Sequence, residues 1–216
     1  MDNIGQKTFI AIAWRFIGVW TTRLLGIISL SILARYLQPG DYGLVATAQL
    51  IVIFMQVVLA DGAESYLIRK KTISTHDYNT AWTIRLVFTL LISLSLYCAK
   101  EFLSIYFNDP RLYNIFILLS LSVFISGFQN LGIIKCKKDL NIKPIVKFEI
   151  VQKIIGFTIT VSLAVYLKSY WALLYGQLSL SISGVLLSYI FFNHRPKLRL
   201  IELKQQWNQM LFKNLI

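Results

Sequence analysis

The sequence predicts an all-α integral membrane protein: a bundle of six transmembrane helices followed by an amphipathic surface helix. Two observations lead to this prediction. The 216 residues are 56% hydrophobic, with a mean hydropathy of +0.61, and only 15% of them are charged, whereas an ordinary soluble domain carries about 25% charged residues. In addition, six apolar runs come close to the roughly 20 residues that a helix needs to cross the hydrocarbon core of a bilayer.

The six predicted spans make up one membrane lobe over residues 1–194. Their approximate limits are 16–36, 42–62, 81–99, 112–134, 148–167 and 170–192. Pro39 and Gly40 are expected to stop the first helix, and Asp41 to cap the second. Only Lys168 and Ser169 separate the last two spans, which predicts a tight helical hairpin.

Beyond the sixth span, residues 195–216 predict an amphipathic helix on the cytoplasmic surface, leading towards a second lobe. Its apolar positions recur at helical spacing: Leu200, Leu203, Trp207, Met210 or Leu211, and Leu215. Trp207 and the flanking bases suit a membrane interface. A linker helix that awaits a partner is the alternative.

The charge balance predicts both the partner class and the orientation. With 22 Lys and Arg against 10 Asp and Glu, the net charge is +12, a balance that suggests nucleic acid in a soluble protein. Here the bases cluster between apolar runs, at 69–71, 135–147 and 195–213, which favours membrane lipid and not nucleic acid. The positive-inside rule then places both termini in the cytoplasm.

Five ionisable residues inside or at the ends of the predicted spans are the candidate functional residues. They are Arg15, Arg23, Arg85, Lys153 and Glu149. Each costs about 2.5–3.5 kcal/mol on insertion scales, so each is a candidate by default. Bases outnumber acids, which fits an anionic cargo, and the planar fork of arginine suits phosphate.

Each candidate also has an alternative interpretation. Arg15 and Arg23 lie within about 80° of each other on one helix and could face one polar cavity. Arg15 and Arg85 could instead snorkel to the lipid head groups. Glu149 and Lys153 are spaced i,i+4, which favours a structural ion pair.

Uncharged polar residues also fall in the spans, and most are expected to hydrogen-bond between helices. They are Gln49, Gln56, Gln129, Gln152 and Gln177, with Ser179, Ser181, Ser183 and Ser188 in the sixth span. The two cysteines and two histidines are too scattered to predict a disulfide, a metal site or a cofactor. No Walker loop, zinc spacing or Gly-x-Ser-x-Gly motif occurs, so no enzyme is predicted.

One stretch carries a family resemblance: Arg35-x-Leu37-x-Pro39, followed by Asp41, Tyr42 and Gly43, and after the second span Ala60-Asp61-Gly62-Ala63. It resembles the first-hairpin motif of polysaccharide or O-antigen (Wzx-type) flippases, in the superfamily that includes lipid II flippases and multidrug MATE exporters. The order and spacing of the six spans are similar as well.

The resemblance implies a function. Such flippases have two six-helix lobes and move undecaprenyl-pyrophosphate-linked oligosaccharide across the bacterial plasma membrane for lipopolysaccharide, capsule or exopolysaccharide synthesis. Cations in their cavity are thought to bind the pyrophosphate, which would suit Arg15, Arg23, Arg85 and Lys153. Ion antiport is thought to drive them, with Glu149 as a candidate for coupling. This chain corresponds to the first lobe, so a second lobe or copy is implied as a partner.

Three other functions stay open. The chain could be a non-transporting membrane partner or truncated remnant, associated with polysaccharide polymerase or export proteins. A MATE-like exporter of organic cations would call for acids in the spans, where only Glu149 occurs. A membrane enzyme of the polymerase type is disfavoured because the outer loops are short.

Overall fold

The computed structural model describes residues 2–60, 67–68, 70 and 74–198. Within this part of the chain the regular structure is helical, and no strand occurs. The helices are α1 (Asp2–Leu33), α2 (Pro39–Ala60), α3 (Thr75–Tyr106), α4 (Arg111–Gly127), α5 (Ile133–Lys138), α6 (Lys143–Leu167) and α7 (Trp171–Phe191).

The membrane-spanning class is confirmed by helix length and composition. Five helices, α1, α2, α3, α6 and α7, are long and apolar enough to cross a bilayer, and α4 is a shorter apolar helix of 17 residues. A helix of that length reaches about 26 Å, near the lower limit for a span. Each predicted span therefore coincides with one helix of an all-α integral membrane bundle.

The fourth span ends earlier than predicted, at Gly127 instead of near residue 134. The cause is Asn130, which is fully buried. Its Nδ2 donates hydrogen bonds to the carbonyl oxygens of Phe192, at 3.1 Å, and His194, at 2.5 Å, while its Oδ1 accepts one from the backbone of Gly132 at 2.8 Å. A side chain that bonds backbone groups in this way competes with the helix ladder.

The third span is longer than predicted at both ends. Ser74 and Asp77 form a capping box that starts α3, and each side chain satisfies a backbone N–H of the first turn. At the other end the helix continues to Tyr106, so Lys100 lies within α3 and not in an outer connection. Lys100 is buried, with its Nζ 3.4 Å from the ring centroid of Tyr97.

The first turn also differs from the prediction. α1 ends at Leu33, and Pro39 is the first residue of α2 instead of a stop signal. Proline suits a first helical position because its φ is preset and the missing N–H would have no partner there. Asp41 does not cap α2, and its carboxylate accepts a hydrogen bond from Arg111 at 3.1 Å.

Helix packing separates the two helices of the first hairpin. α1 packs on α6, α6 on α7, α7 on α4, and α4 on α3, while α2 packs on α3 and α4. Since α1 and α2 rest on opposite ends of this row, an open cleft lies between them.

Three glycines bring α6 and α7 close together. A Cβ atom at Gly156 would lie 2.3 Å from Leu180, one at Gly176 would lie 2.0 Å from Thr160, and one at Gly184 would lie 2.5 Å from Gln152. Small residues at such contacts let two membrane helices approach closely. This close packing holds the part of α6 that carries Gln152 firmly against α7.

Two sequence features fall outside the described residues. The predicted surface helix is one of them: residues 195–198 are not helical, and its apolar positions lie at 200–215. Asp61, Gly62 and Ala63 of the family motif are the other.

Candidate functional site: a polar cleft between α1 and α2

Three adjoining cavities of about 450, 190 and 280 Å³ form what we call the polar cleft. Gln177 lines all three, and Lys153, Ser126 and Ser181 each line two. Helices α1, α2, α4, α6 and α7 contribute side chains. The cleft is therefore one connected groove inside a membrane bundle, lined by polar and apolar side chains together.

All five glutamines predicted within the spans line the polar cleft. They are Gln49, Gln56, Gln129, Gln152 and Gln177. The sequence interpretation treated most of them as packing residues, and their convergence was missed. The spacing of two of them could have indicated it. Gln49 and Gln56 are seven residues apart on α2, so they share one helix face.

Two of these amides are held by the protein. The Nε2 of Gln152 donates to the carbonyl oxygen of Leu180 at 2.9 Å, and the Oε1 of Gln129 accepts from Arg85 at 3.0 Å. In the described part of the chain the amides of Gln49, Gln56 and Gln177 make no hydrogen bond to protein. Unpaired amides in a membrane bundle are costly, so these three need water or a ligand.

Arg15, Glu149 and Lys153 line the 450 Å³ cavity together. The predicted ion pair between Glu149 and Lys153 is wrong, because Glu149 accepts instead from the Nη1 of Arg15, at 2.8 and 2.7 Å. α1 and α6 are close enough for this contact because Gly18 lies against Val146, where a Cβ atom would be only 2.8 Å away.

Lys153 has neither an ion pair nor a hydrogen bond within the described residues. It lies near the middle of α6 and lines two of the three cavities. A cation at this depth is unfavourable unless water or an anion solvates it. Lys153 is therefore the strongest candidate for binding an anionic group in the polar cleft.

Arg85 lies behind the wall of the cleft. Its Nη2 donates to the Oε1 of Gln129 and to the carbonyl oxygen of Ser126, at 3.0 and 3.3 Å. A cation at the C-terminal end of α4 is favoured by the helix dipole. Arg85 thus positions Gln129 and does not itself line the three cavities.

Arg23 is exposed and lines none of the three cavities, whereas its neighbour Thr22 does. The angle of about 80° between Arg15 and Arg23 on α1 is enough to separate them. The structure therefore brings Arg15, Glu149 and Lys153 together in the polar cleft. Arg85 contacts the cleft through Gln129, and Arg23 lies outside it.

The residues of the turn motif lie where α1 gives way to α2. Tyr42 packs against the buried cluster of Leu33 and Leu37 and lines the 280 Å³ cavity. Asp41 joins an ionic cluster in which Arg111 also contacts Asp109 at 2.7 Å. The Arg111 hydrogen bond lowers the pKa of Asp109. Arg35 and Gly43 are exposed, and Pro39 begins α2.

A separate cavity of about 770 Å³ lies at the other end of the bundle, lined by Lys135, Lys138 and His194 among others. Burial lowers the pKa of His194 and raises that of the nearby Cys136. No group of three or more His, Cys, Asp or Glu residues in the described ranges is arranged to hold a metal ion.

Comparison with known proteins adds a family match. The model of a family described as "polysaccharide biosynthesis protein" matches residues 32–211. An uncharacterized membrane protein in the cps region of Klebsiella pneumoniae is 23% identical over 97% of this chain and 44% of its own length. The lipopolysaccharide biosynthesis protein WzxC of Escherichia coli K12 is 23% identical over 74% of this chain and 32% of its own length.

The chain thus spans less than half the length of these curated relatives. No solved structure matches it significantly.

Proposed function

This chain belongs to the polysaccharide biosynthesis protein family, and from that premise we propose that it serves in the transmembrane movement of a lipid-linked oligosaccharide. The substrate class that we propose is an undecaprenyl-pyrophosphate-linked glycan, carried from the inner to the outer leaflet of a bacterial plasma membrane. The relative named as a lipopolysaccharide biosynthesis protein supports the pathway class.

The observation that carries this proposal is the polar cleft with Lys153 unpaired inside it. A pyrophosphate needs cations along its path, and Arg15 lines the same cavity as Lys153. Glutamine amides beside these cations offer hydrogen bonds to sugar hydroxyls. The proposed roles are phosphate binding for Lys153, an ion pair with Glu149 beside it for Arg15, and positioning of Gln129 for Arg85.

We propose that this lobe works with a second lobe or a second copy. The chain spans less than half of its relatives' length, and carriers place their substrate site between two repeats. The polar cleft would then be one wall of a shared path. The work of the protein is binding and alternating access, with no covalent chemistry.

The proposed orientation places the end of the bundle that carries the N-terminus in the cytoplasm. That end bears Lys135, Lys137 and Lys138 on α5, together with Arg195 and Lys197 after α7. An excess of bases on one side is typical of cytoplasmic loops.

A surface-display assay tests the proposal. Cells that lack their own O-antigen flippase would express this chain alone, or together with the second half of the cps-region relative, and surface polymer would be measured. Polymer with either combination supports transport. If the chain is inserted but no polymer appears across a panel of glycan types, the transport proposal fails, and a non-transporting partner becomes the better assignment.

A further inference from the structure

The hydrogen-bonding groups of the polar cleft are almost all uncharged. Five glutamine amides and the hydroxyls of Ser126 and Ser181 line it, and the charged lining residues are Arg15, Glu149 and Lys153. This composition limits what kind of glycan the wall can accommodate, because each ligand group must find a partner of matching charge and hydrogen-bonding type.

An amide offers a donor and an acceptor side by side, and a sugar hydroxyl can both donate and accept. A carboxylate can only accept. Gln152 uses its Nε2 on the carbonyl oxygen of Leu180, and its Oε1 has no hydrogen bond among the described residues. That oxygen suits a hydroxyl and repels a carboxylate.

The balance of charges leads to the same conclusion. The Nη1 of Arg15 is already engaged by both oxygens of Glu149. Lys153 is then the one lining cation of the cleft without an anionic partner in the described chain, and the proposed phosphate would occupy it. An acidic sugar would find no further free cation there, because the charges of Arg15 and Glu149 already balance each other.

We infer that the polar cleft selects lipid-linked oligosaccharides whose sugars are uncharged over those that carry carboxylates. The inference rests on the proposed function, since it assigns the substrate class of the same site. Gln177 is the specificity-determining residue in this assignment, because it lines all three cavities.

A binding competition tests the inference on the purified chain in nanodiscs. The probes are a bare isoprenyl pyrophosphate, the same lipid carrying a neutral tetrasaccharide, and the same lipid carrying a tetrasaccharide with one hexuronic acid. We expect the neutral glycolipid to bind about tenfold more tightly than the acidic one, a modest difference because water screens an open cleft. Equal binding, or preference for the acidic glycolipid, would overturn the inference while leaving the proposed function in place.

If none of the three probes binds to the chain, either alone or co-expressed with the second half of the cps-region relative, the proposed function fails and the inference fails with it. Gln177→Lys adds a second readout, because an extra cation in the cleft should remove or reverse the preference for the neutral glycan. Gln49→Lys should act in the same direction, should the first variant misfold. Gln38→Lys is the matched control, since Gln38 is exposed in the turn between α1 and α2 and should leave the preference unchanged.

Discussion

The Nη1 of Arg15 lies 2.8 and 2.7 Å from the two carboxylate oxygens of Glu149, so an ion pair joins α1 to α6 at the edge of the polar cleft. The side chains are 54% and 32% exposed, and an ion pair with this much exposure is worth at most about 1 kcal/mol. Its effect on the charge of the cleft matters more than its effect on stability.

Replacing Glu149 with Gln should tighten the binding of an isoprenyl pyrophosphate several-fold, because the change frees Arg15 for phosphate. Thermal unfolding should shift little. Titration of the lipid into nanodiscs measures the first effect. Glu101→Gln on the exposed surface of α3 is the control, and weaker binding by the Glu149 variant would show that the carboxylate is needed to hold Arg15 in place.

Lys153→Met should weaken binding of the same lipid by about 10- to 100-fold, the range expected for losing hydrogen bonds to a charged group. The bundle should remain folded, because Lys153 makes no ion pair or hydrogen bond in the described chain. Lys147→Met is the matched control on the same helix, where Lys147 is exposed and lines none of the three cavities. Equal losses in the two variants would mean a general charge effect and would remove Lys153 from the site.

Gly176→Ala should destabilise the bundle by about 1–3 kcal/mol, because the new Cβ would lie 2.0 Å from the Oγ1 of Thr160. Gly43→Ala should be neutral or stabilising, since nothing lies within 4 Å of a Cβ atom there and alanine favours a helix. Unfolding in detergent measures both. A neutral result at Gly176 would show that α6 and α7 can separate at no cost.

The contact between Asp109 and Arg111 should give a pH-dependent contribution to stability. The hydrogen bond from Arg111 lowers the pKa of Asp109 below its ordinary value of 3.8, so the folded state favours the ionised carboxyl. The contribution is fully present above pH 3.8 and is lost as the pH falls through the lowered pKa.

Comparing the unfolding of wild type with that of Asp109→Asn between pH 7 and pH 2 isolates this contribution, whereas a change at Arg111 would also disturb Asp41. The difference between the two proteins should be constant near neutral pH and should shrink in acid. A difference that does not change with pH would contradict the assignment.

The helices could be predicted from the sequence because length and hydropathy are local properties, and a span of about 20 apolar residues has few alternatives in a bilayer. The end of α4 could not, since the run from 112 to 134 is predominantly apolar and the tertiary contacts of Asn130 that interrupt it cannot be inferred from a local pattern.

The candidate site was predicted in part. Arg15 and Lys153 were identified as cations within or next to the spans. A charged side chain in the membrane costs free energy, so its presence indicates a function or a partner. Spacing along one helix then suggested the wrong partner for Glu149, since an i,i+4 rule cannot anticipate a contact across two helices. The five glutamines converge through packing among three helices, α2, α6 and α7, and the segment after α4, which no single helix pattern encodes.

The break after Gly127 has a mechanical consequence. Irregular backbone within a membrane protein is tolerated only where protein or water covers it, and here α7 supplies cover, because the hydroxyl of Ser188 accepts a hydrogen bond from the backbone of Asn130 at 3.0 Å. Moving α7 away from α4 would leave the backbone N–H of Asn130 without its hydrogen-bond partner in the apolar interior of the membrane. Helices α4 and α7 should therefore move together as one rigid unit. The gap between α1 and α2 is then the place where the bundle can open most readily.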